Sequence, residues 1–255
     1  MTVQLSQAAA SPVSITLSSS SSGGGFATSS SGSFSPTLTL STTSSATFYY
    51  KDTKAGSPTL TASATGYTSG SQTETVNAAA LASIAVSPAS ATVTQGGTQP
   101  FSASGADLYG NPVSVAGATW STTAPGSVSP TSGSSTTFTA SSTSTGSGSV
   151  TAAVGTVSGS ASVTVSALAA PSNLVATAQG KHIALTWQGS GAGVTYNLYR
   201  GTAAGSETLY TSGLTSTSAN DMSVTSGRTY WYYVKAVGPG GTLSAASNEA
   251  HATAR

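Results

Sequence analysis

Short runs in which a side chain fit for a core alternates with one fit for water recur about every 8–12 residues along this 255-residue chain, the spacing of strands in a sandwich or barrel. Val13-Ser14-Ile15-Thr16-Leu17, Thr37-Leu38-Thr39-Leu40 and Ala46-Thr47-Phe48-Tyr49-Tyr50 are early examples. Later ones are Ser83-Ile84-Ala85-Val86, Ser149-Val150-Thr151-Ala152-Ala153-Val154 and Ala161-Ser162-Val163-Thr164-Val165. A period of two puts alternate side chains on opposite faces of a strand. Nowhere do apolar residues hold the i, i+3, i+4, i+7 spacing of an amphipathic helix over three turns without Gly, Pro or Ser/Thr clusters intervening. Ser and Thr make up more than a third of the chain, a bias common in disordered segments. Hydrophobic residues nevertheless reach 37% and fall in the alternating runs, so folded strands are expected. The fold class read from the sequence is all-β.

Boundaries show as short apolar linkers, Ala78-Ala79-Ala80-Leu81 and Ala167-Leu168-Ala169-Ala170-Pro171, the second stiffened by its proline. They divide the chain into 1–79, 80–167 and 168–255, each near the size of one sandwich, and short joints of this kind suggest a semi-rigid rod. The third stretch contains Ala170-Pro171-Ser172-Asn173-Leu174, Ile183-Ala184-Leu185-Thr186-Trp187 and Tyr196-Asn197-Leu198-Tyr199-Arg200. It continues to Gly227-Arg228-Thr229-Tyr230-Trp231-Tyr232-Tyr233-Val234-Lys235-Ala236-Val237. These landmarks, in this order, resemble a fibronectin type III domain. The resemblance implies that Trp187 is the core tryptophan, and that the Tyr230 hydroxyl bonds back to backbone near the preceding turn. The second stretch, with Gln95-Gly96-Gly97-Thr98-Gln99-Pro100-Phe101, Asp107-Leu108-Tyr109-Gly110-Asn111-Pro112-Val113 and Ala118-Thr119-Trp120-Ser121, resembles the bacterial Ig-like domains of intimin- and invasin-like adhesins. That implies a tight turn at Asp107–Asn111, with Gly110 supplying backbone freedom, and Trp120 between the sheets. The first stretch resembles the same class more loosely. The expectation is three consecutive immunoglobulin-like β-sandwiches, the third fibronectin type III-like. In the family a further strand precedes Thr2-Val3-Gln4-Leu5, so the first sandwich is expected to present an open edge suited to strand addition.

The composition and the absence of catalytic motifs point away from chemistry. Seven Lys or Arg against six Asp or Glu, 5% of the chain in all, give a net charge of +1 and no basic field for nucleic acid. No apolar run approaches the length of a membrane span, so no membrane insertion is expected. The opening Met1–Leu5 lacks the basic and apolar regions of a signal peptide and reads as strand material, as in a stretch of a longer exported protein. With no cysteine, the compartment is either reducing or extracellular without disulfides. The two histidines, His182 and His251, fall on expected strands, and no Gly-x-Ser-x-Gly elbow accompanies them. The six acids, Asp52, Glu74, Asp107, Glu207, Asp221 and Glu249, are spread along the chain, against a paired-carboxylate site. Neither a phosphate loop nor a zinc spacing exists, so no catalytic residue, cofactor or metal is expected. Asp107 with Asn111 offers oxygens at a turn, but calcium takes six to eight ligands and an Asx-type turn is favoured. A self-made isopeptide bond would draw on Lys51 or Lys54, Asn77 and Glu74, for which ordinary surface polarity is the favoured reading.

The aromatic residues are the remaining candidates for recognition. Alternation places Tyr230, Tyr232, Val234 and Ala236 inside the third sandwich, and Trp231, Tyr233 and Lys235 outside. On the neighbouring strand Tyr196 and Leu198 point in, while Asn197 and Tyr199 point out. Tyr199, Trp231 and Tyr233 are therefore expected to form an exposed patch able to stack on sugar rings or anchor a protein, or else to pair across strands. Tyr109 and Tyr210, on expected loops, are weaker candidates. The functional expectation is a non-catalytic structural, adhesive or spacer region at the bacterial cell surface or outside it, with other protein domains or surface glycans as partners. The alternatives are a carbohydrate-binding accessory module of a polysaccharide-degrading enzyme, and a filament subunit assembling through the edge at Thr2–Leu5.

Overall fold

The computed structural model describes all 255 residues and contains strands, turns and one 3-10 turn at Pro239–Gly241, with no α-helix. No helix is therefore long and apolar enough to cross a membrane. The strands form seven sheets, and strands within Thr2–Thr73, within Ser83–Ser166 and within Ser172–Thr253 pair only among themselves. By compactness the chain separates into two units, Met1–Ile84 with Ser104–Ser114, and Ala85–Ala103 with Val115–Arg255.

In the first unit, Val13–Ser19 lies between Thr37–Thr42 and Thr59–Ser63, and Gly70–Thr73 forms the far edge. Two short ladders, Thr2–Gln4 with Ser45–Thr47 and Gly24–Ala27 with Tyr49–Asp52, accompany this sheet. Alternation along Val13–Ser19 puts Ile15 and Leu17 into a core with Phe26, Leu40, Phe48 and Leu60. Residues 104–114 belong here through the turn at Asp107, where Gly110 takes φ +85°, a left-handed conformation that glycine adopts without a Cβ penalty.

The second unit holds two sandwiches. One has Ser90–Thr94, Val157–Ser166, Gly146–Val154 and Thr119–Thr122 in one sheet, with Ser90–Thr94 running parallel to its neighbour. Phe101, Trp120, Phe138, Val150 and Val163 fill its interior, and the Trp120 indole donates to the Gly133 carbonyl at 2.8 Å. Each such side chain removed from water contributes about 1.5–3 kcal/mol. The other sandwich pairs the sheet of Ser172–Gln179, His182–Gln188 and Ser218–Asp221 with the sheet of Thr208–Leu214, Thr195–Gly201, Thr229–Val237 and Ala250–Thr253. Trp187 is buried edge-on to Tyr196, with 5.6 Å between ring centroids. The Tyr230 hydroxyl accepts the Thr225 N–H at 3.1 Å, the corner that the fibronectin resemblance implies. Tyr210 differs from expectation: it lies within the strand Thr208–Leu214, because its hydroxyl reaches inward to a buried carboxylate. The architecture is all-β, with immunoglobulin- and fibronectin-like sandwiches in tandem.

Candidate functional site

The strand Thr229–Val237 alternates without a break: Tyr230, Tyr232, Val234 and Ala236 are buried, and Trp231, Tyr233 and Lys235 lie half-buried on the outer face. Register then decides which of the outer side chains meet. Tyr199 stands directly opposite Tyr233, and their rings stack with centroids 4.5 Å apart at 17°. Trp231 stands opposite Gly201 on that side, so it stacks instead on His251 of the other neighbour, at 4.3 Å and 28°. The face therefore carries two ring pairs, and His251 is a member that sequence reasoning missed. Only knowledge that Ala250–Thr253 is the adjacent strand would have found it. The Lys235 ammonium stands 5.9 Å from the centroids of both Tyr199 and Tyr233. Cross-strand pairs of this kind contribute about 0.2–1 kcal/mol each to a sheet.

Two of the six acids, expected to be scattered, meet beside this face. Glu207 precedes the strand Thr208–Leu214 and Glu249 precedes Ala250–Thr253. The Glu207 carboxyl is pushed up by burial and by its neighbour Glu249. Glu249 is held down by accepting a hydrogen bond from Glu207, and it also accepts the Gly205 N–H at 3.1 Å. Burial, then the nearby Tyr199 and Glu207, raises the Tyr233 hydroxyl above its ordinary range. No three His, Asp or Glu side chains gather into a metal-binding group.

Inside the same sandwich lies a polar cluster that the sequence did not reveal. Asp221 is 0% exposed. It accepts from the Tyr232 hydroxyl at 2.7 Å, the Tyr210 hydroxyl at 2.8 Å and the Ser223 N–H at 2.9 Å, while Arg200 donates to both its oxygens at 3.0 and 2.9 Å. The Arg200 guanidinium lies over Tyr210, 4.1 Å from the ring centroid, and 5.2 Å from that of Tyr230. Burial alone would raise the Asp221 pKa, but the hydrogen bonds outweigh it and hold the carboxyl below the usual range. The Tyr232 hydroxyl is pushed up by burial and by Asp221. The cluster joins side chains from strands of both sheets, so it holds the two sheets together.

The other sequence candidates separate. Lys51, Lys54 and Asn77 are exposed and Glu74 accepts from the Gln72 amide, so the structure builds no dry Lys–Asn–acid site. Asp107 is nearly buried. Burial would raise its carboxyl, but the Asn111 amide and the N–H groups of Ala79, Asn111 and Tyr109 bring it down to about 2. Beside Thr2–Gln4 runs a groove of about 390 Å³, with Leu17, Phe26, Phe48 and Leu60 among its lining residues.

No family model and no curated protein matches the chain. Among solved structures it is similar to an Fn3-like protein from Clostridium thermocellum, at 33% identity, covering 35% of this chain and 96% of that one with a TM-score of 0.33. It is also similar to the I9-I11 tandem from titin, at 14% identity over 100% of this chain and 99% of that one, TM-score 0.43. A pectate lyase Pel3 from Pectobacterium carotovorum matches at 18% identity over 32% of this chain, TM-score 0.30, and the chain spans 26% of that enzyme's length.

Proposed function

We propose that this chain is a non-catalytic structural spacer, or adhesive stretch, of a bacterial protein that works at the cell surface or outside the cell. The observation carrying this reading is the joint in the second unit. A Cβ on Gly96, in the turn after Ser90–Thr94, would lie 2.3 Å from the Pro239 carbonyl oxygen and 2.5 Å from the Thr242 hydroxyl. Backbone approaches backbone there at a distance that only glycine permits, which supports a close joint between the two sandwiches of that unit. The polar chemistry supports the same reading, since Asp221 and Asp107 are occupied by internal donors.

A second reading, carbohydrate binding, rests on the ring pairs Tyr199–Tyr233 and Trp231–His251 with Lys235 and Glu249 at their edges. Such a mixture of flat apolar faces and charged rims suits a sugar. A glycan array together with light scattering over a concentration series separates the readings. The spacer predicts a monomer with no glycan hit. A hit that Trp231→Ala abolishes while leaving the melting temperature within a few degrees would replace it with the sugar-binding reading. Concentration-dependent polymers would replace it with assembly through the first sandwich's edge.

A further inference from the structure

We propose that Asp107 and Asn111 form a metal-free clasp that ties the turn 104–114 to the connector at Ala79 and to the loop Thr53–Ala55. The Asp107 carboxylate accepts four hydrogen bonds: Oδ1 from the Tyr109 and Asn111 N–H groups at 2.8 Å each, and Oδ2 from the Ala79 N–H at 2.9 Å and the Asn111 Nδ2 at 2.8 Å. Asn111 then reaches across. Its Oδ1 accepts the Ala55 N–H at 2.9 Å, and its Nδ2 donates a second time, to the Thr53 carbonyl at 2.8 Å. The two side chains are 4% and 8% exposed, so these bonds form out of contact with bulk water.

Side-chain inventory makes the arrangement specific. A carboxylate offers about four lone-pair sites and all four are taken. An amide has two N–H donors, and both are used. Reversing the Asn111 amide would turn an N–H against the Ala55 N–H, so only one orientation satisfies both partners. The pattern is also opposite to that of a cation site. Calcium requires six to eight oxygens aimed at one point. Here the groups aimed at Asp107 are N–H donors, whose positive ends repel a cation. The clasp therefore replaces, at this turn, the function that a bound ion would serve in stiffening a connector. Leu108 and Tyr109, exposed at the tip of the turn, take no part in the grip beyond the Tyr109 backbone.

Amide hydrogen exchange on the full chain tests this at two reporters, the Ala55 and Ala79 N–H groups. In the wild type both are expected to be protected, and equally so in chelator and in millimolar calcium. Asn111→Ala is expected to lower the protection of Ala55 by at least about tenfold, the loss of one buried hydrogen bond. Asn111→Asp, which keeps the size but sets two carboxylates against each other, is expected to lower both reporters by as much, with or without calcium. A cation site makes the reverse prediction: chelator exposes both amides, and Asn111→Asp in calcium tightens them. That result overturns the clasp, as does an Ala55 amide that stays protected in Asn111→Ala. Protection of the amides of Val13–Ser19, the strand inside the same unit's sheet, shows whether a variant has unfolded generally, in which case the wild-type comparison with and without chelator decides.

Discussion

Asp221→Ala is expected to destabilise the C-terminal sandwich by about 3–5 kcal/mol, the range for removing one partner of a buried charged pair. The substitution leaves the partly buried Arg200 guanidinium without its carboxylate, and it strips the Tyr232 and Tyr210 hydroxyls and the Ser223 N–H of their shared acceptor. Asp221→Asn keeps the volume but removes the charge and turns one of the two acceptor oxygens into an NH2 donor, and about 1–3 kcal/mol is expected. Urea unfolding followed by the fluorescence of Trp187 and Trp231 measures both. A loss below about 1 kcal/mol for Asp221→Ala would show that the cluster is solvated and contributes little. The pH dependence has a definite sign. Because the folded-state carboxyl is depressed, its contribution is complete above the ordinary carboxylate pKa and is lost as pH falls through the lower folded value. Acid should therefore weaken the wild-type sandwich over that window, and Asp221→Asn should flatten the response.

Gly96→Ala is expected to have the second large effect, of a different kind. Gly96 has φ +74°, so alanine pays a left-handed penalty of about 1–2 kcal/mol before any contact is considered. Gly155 isolates that part: its φ is +59° and a Cβ there meets nothing within 4 Å. At Gly96 the new methyl also meets a carbonyl oxygen and must push the Pro239–Thr242 turn away. The structure predicts that Gly155→Ala lowers stability only modestly. Gly96→Ala should add a loss of cooperation, with the two sandwiches of the second unit unfolding in separate calorimetric transitions. Identical behaviour of the two variants would mean that the contact at Pro239 contributes nothing.

How much of this was legible beforehand follows from which contacts are local. The period-two pattern of Tyr230 to Val237 was readable because a strand's two faces are set by its own geometry, and the burial of Tyr230, Tyr232, Val234 and Ala236 matches it. The Tyr230 corner was readable because the hydroxyl reaches back only to Thr225. The stacking of Trp231 on His251 was not readable, since it depends on strand order across the sheet and on glycine standing at position 201. Asp221 looked like one of a few dispersed acids; its partners come from three other strands and meet only once the sandwich closes. The Asp107–Asn111 turn was foreseen as a turn, with no sign in the sequence that Asn111 would grip Thr53 and Ala55.

Close approach of backbone at Gly96 and Pro239 should hold the two sandwiches of the second unit together as one body. Nitrogen-15 relaxation of the whole chain in solution measures this most directly. The amides of Thr119–Ser166 and of Ser172–Thr253, both in the second unit, should report one common rotational correlation time. Two distinct correlation times, as from beads on a loose string, would contradict it.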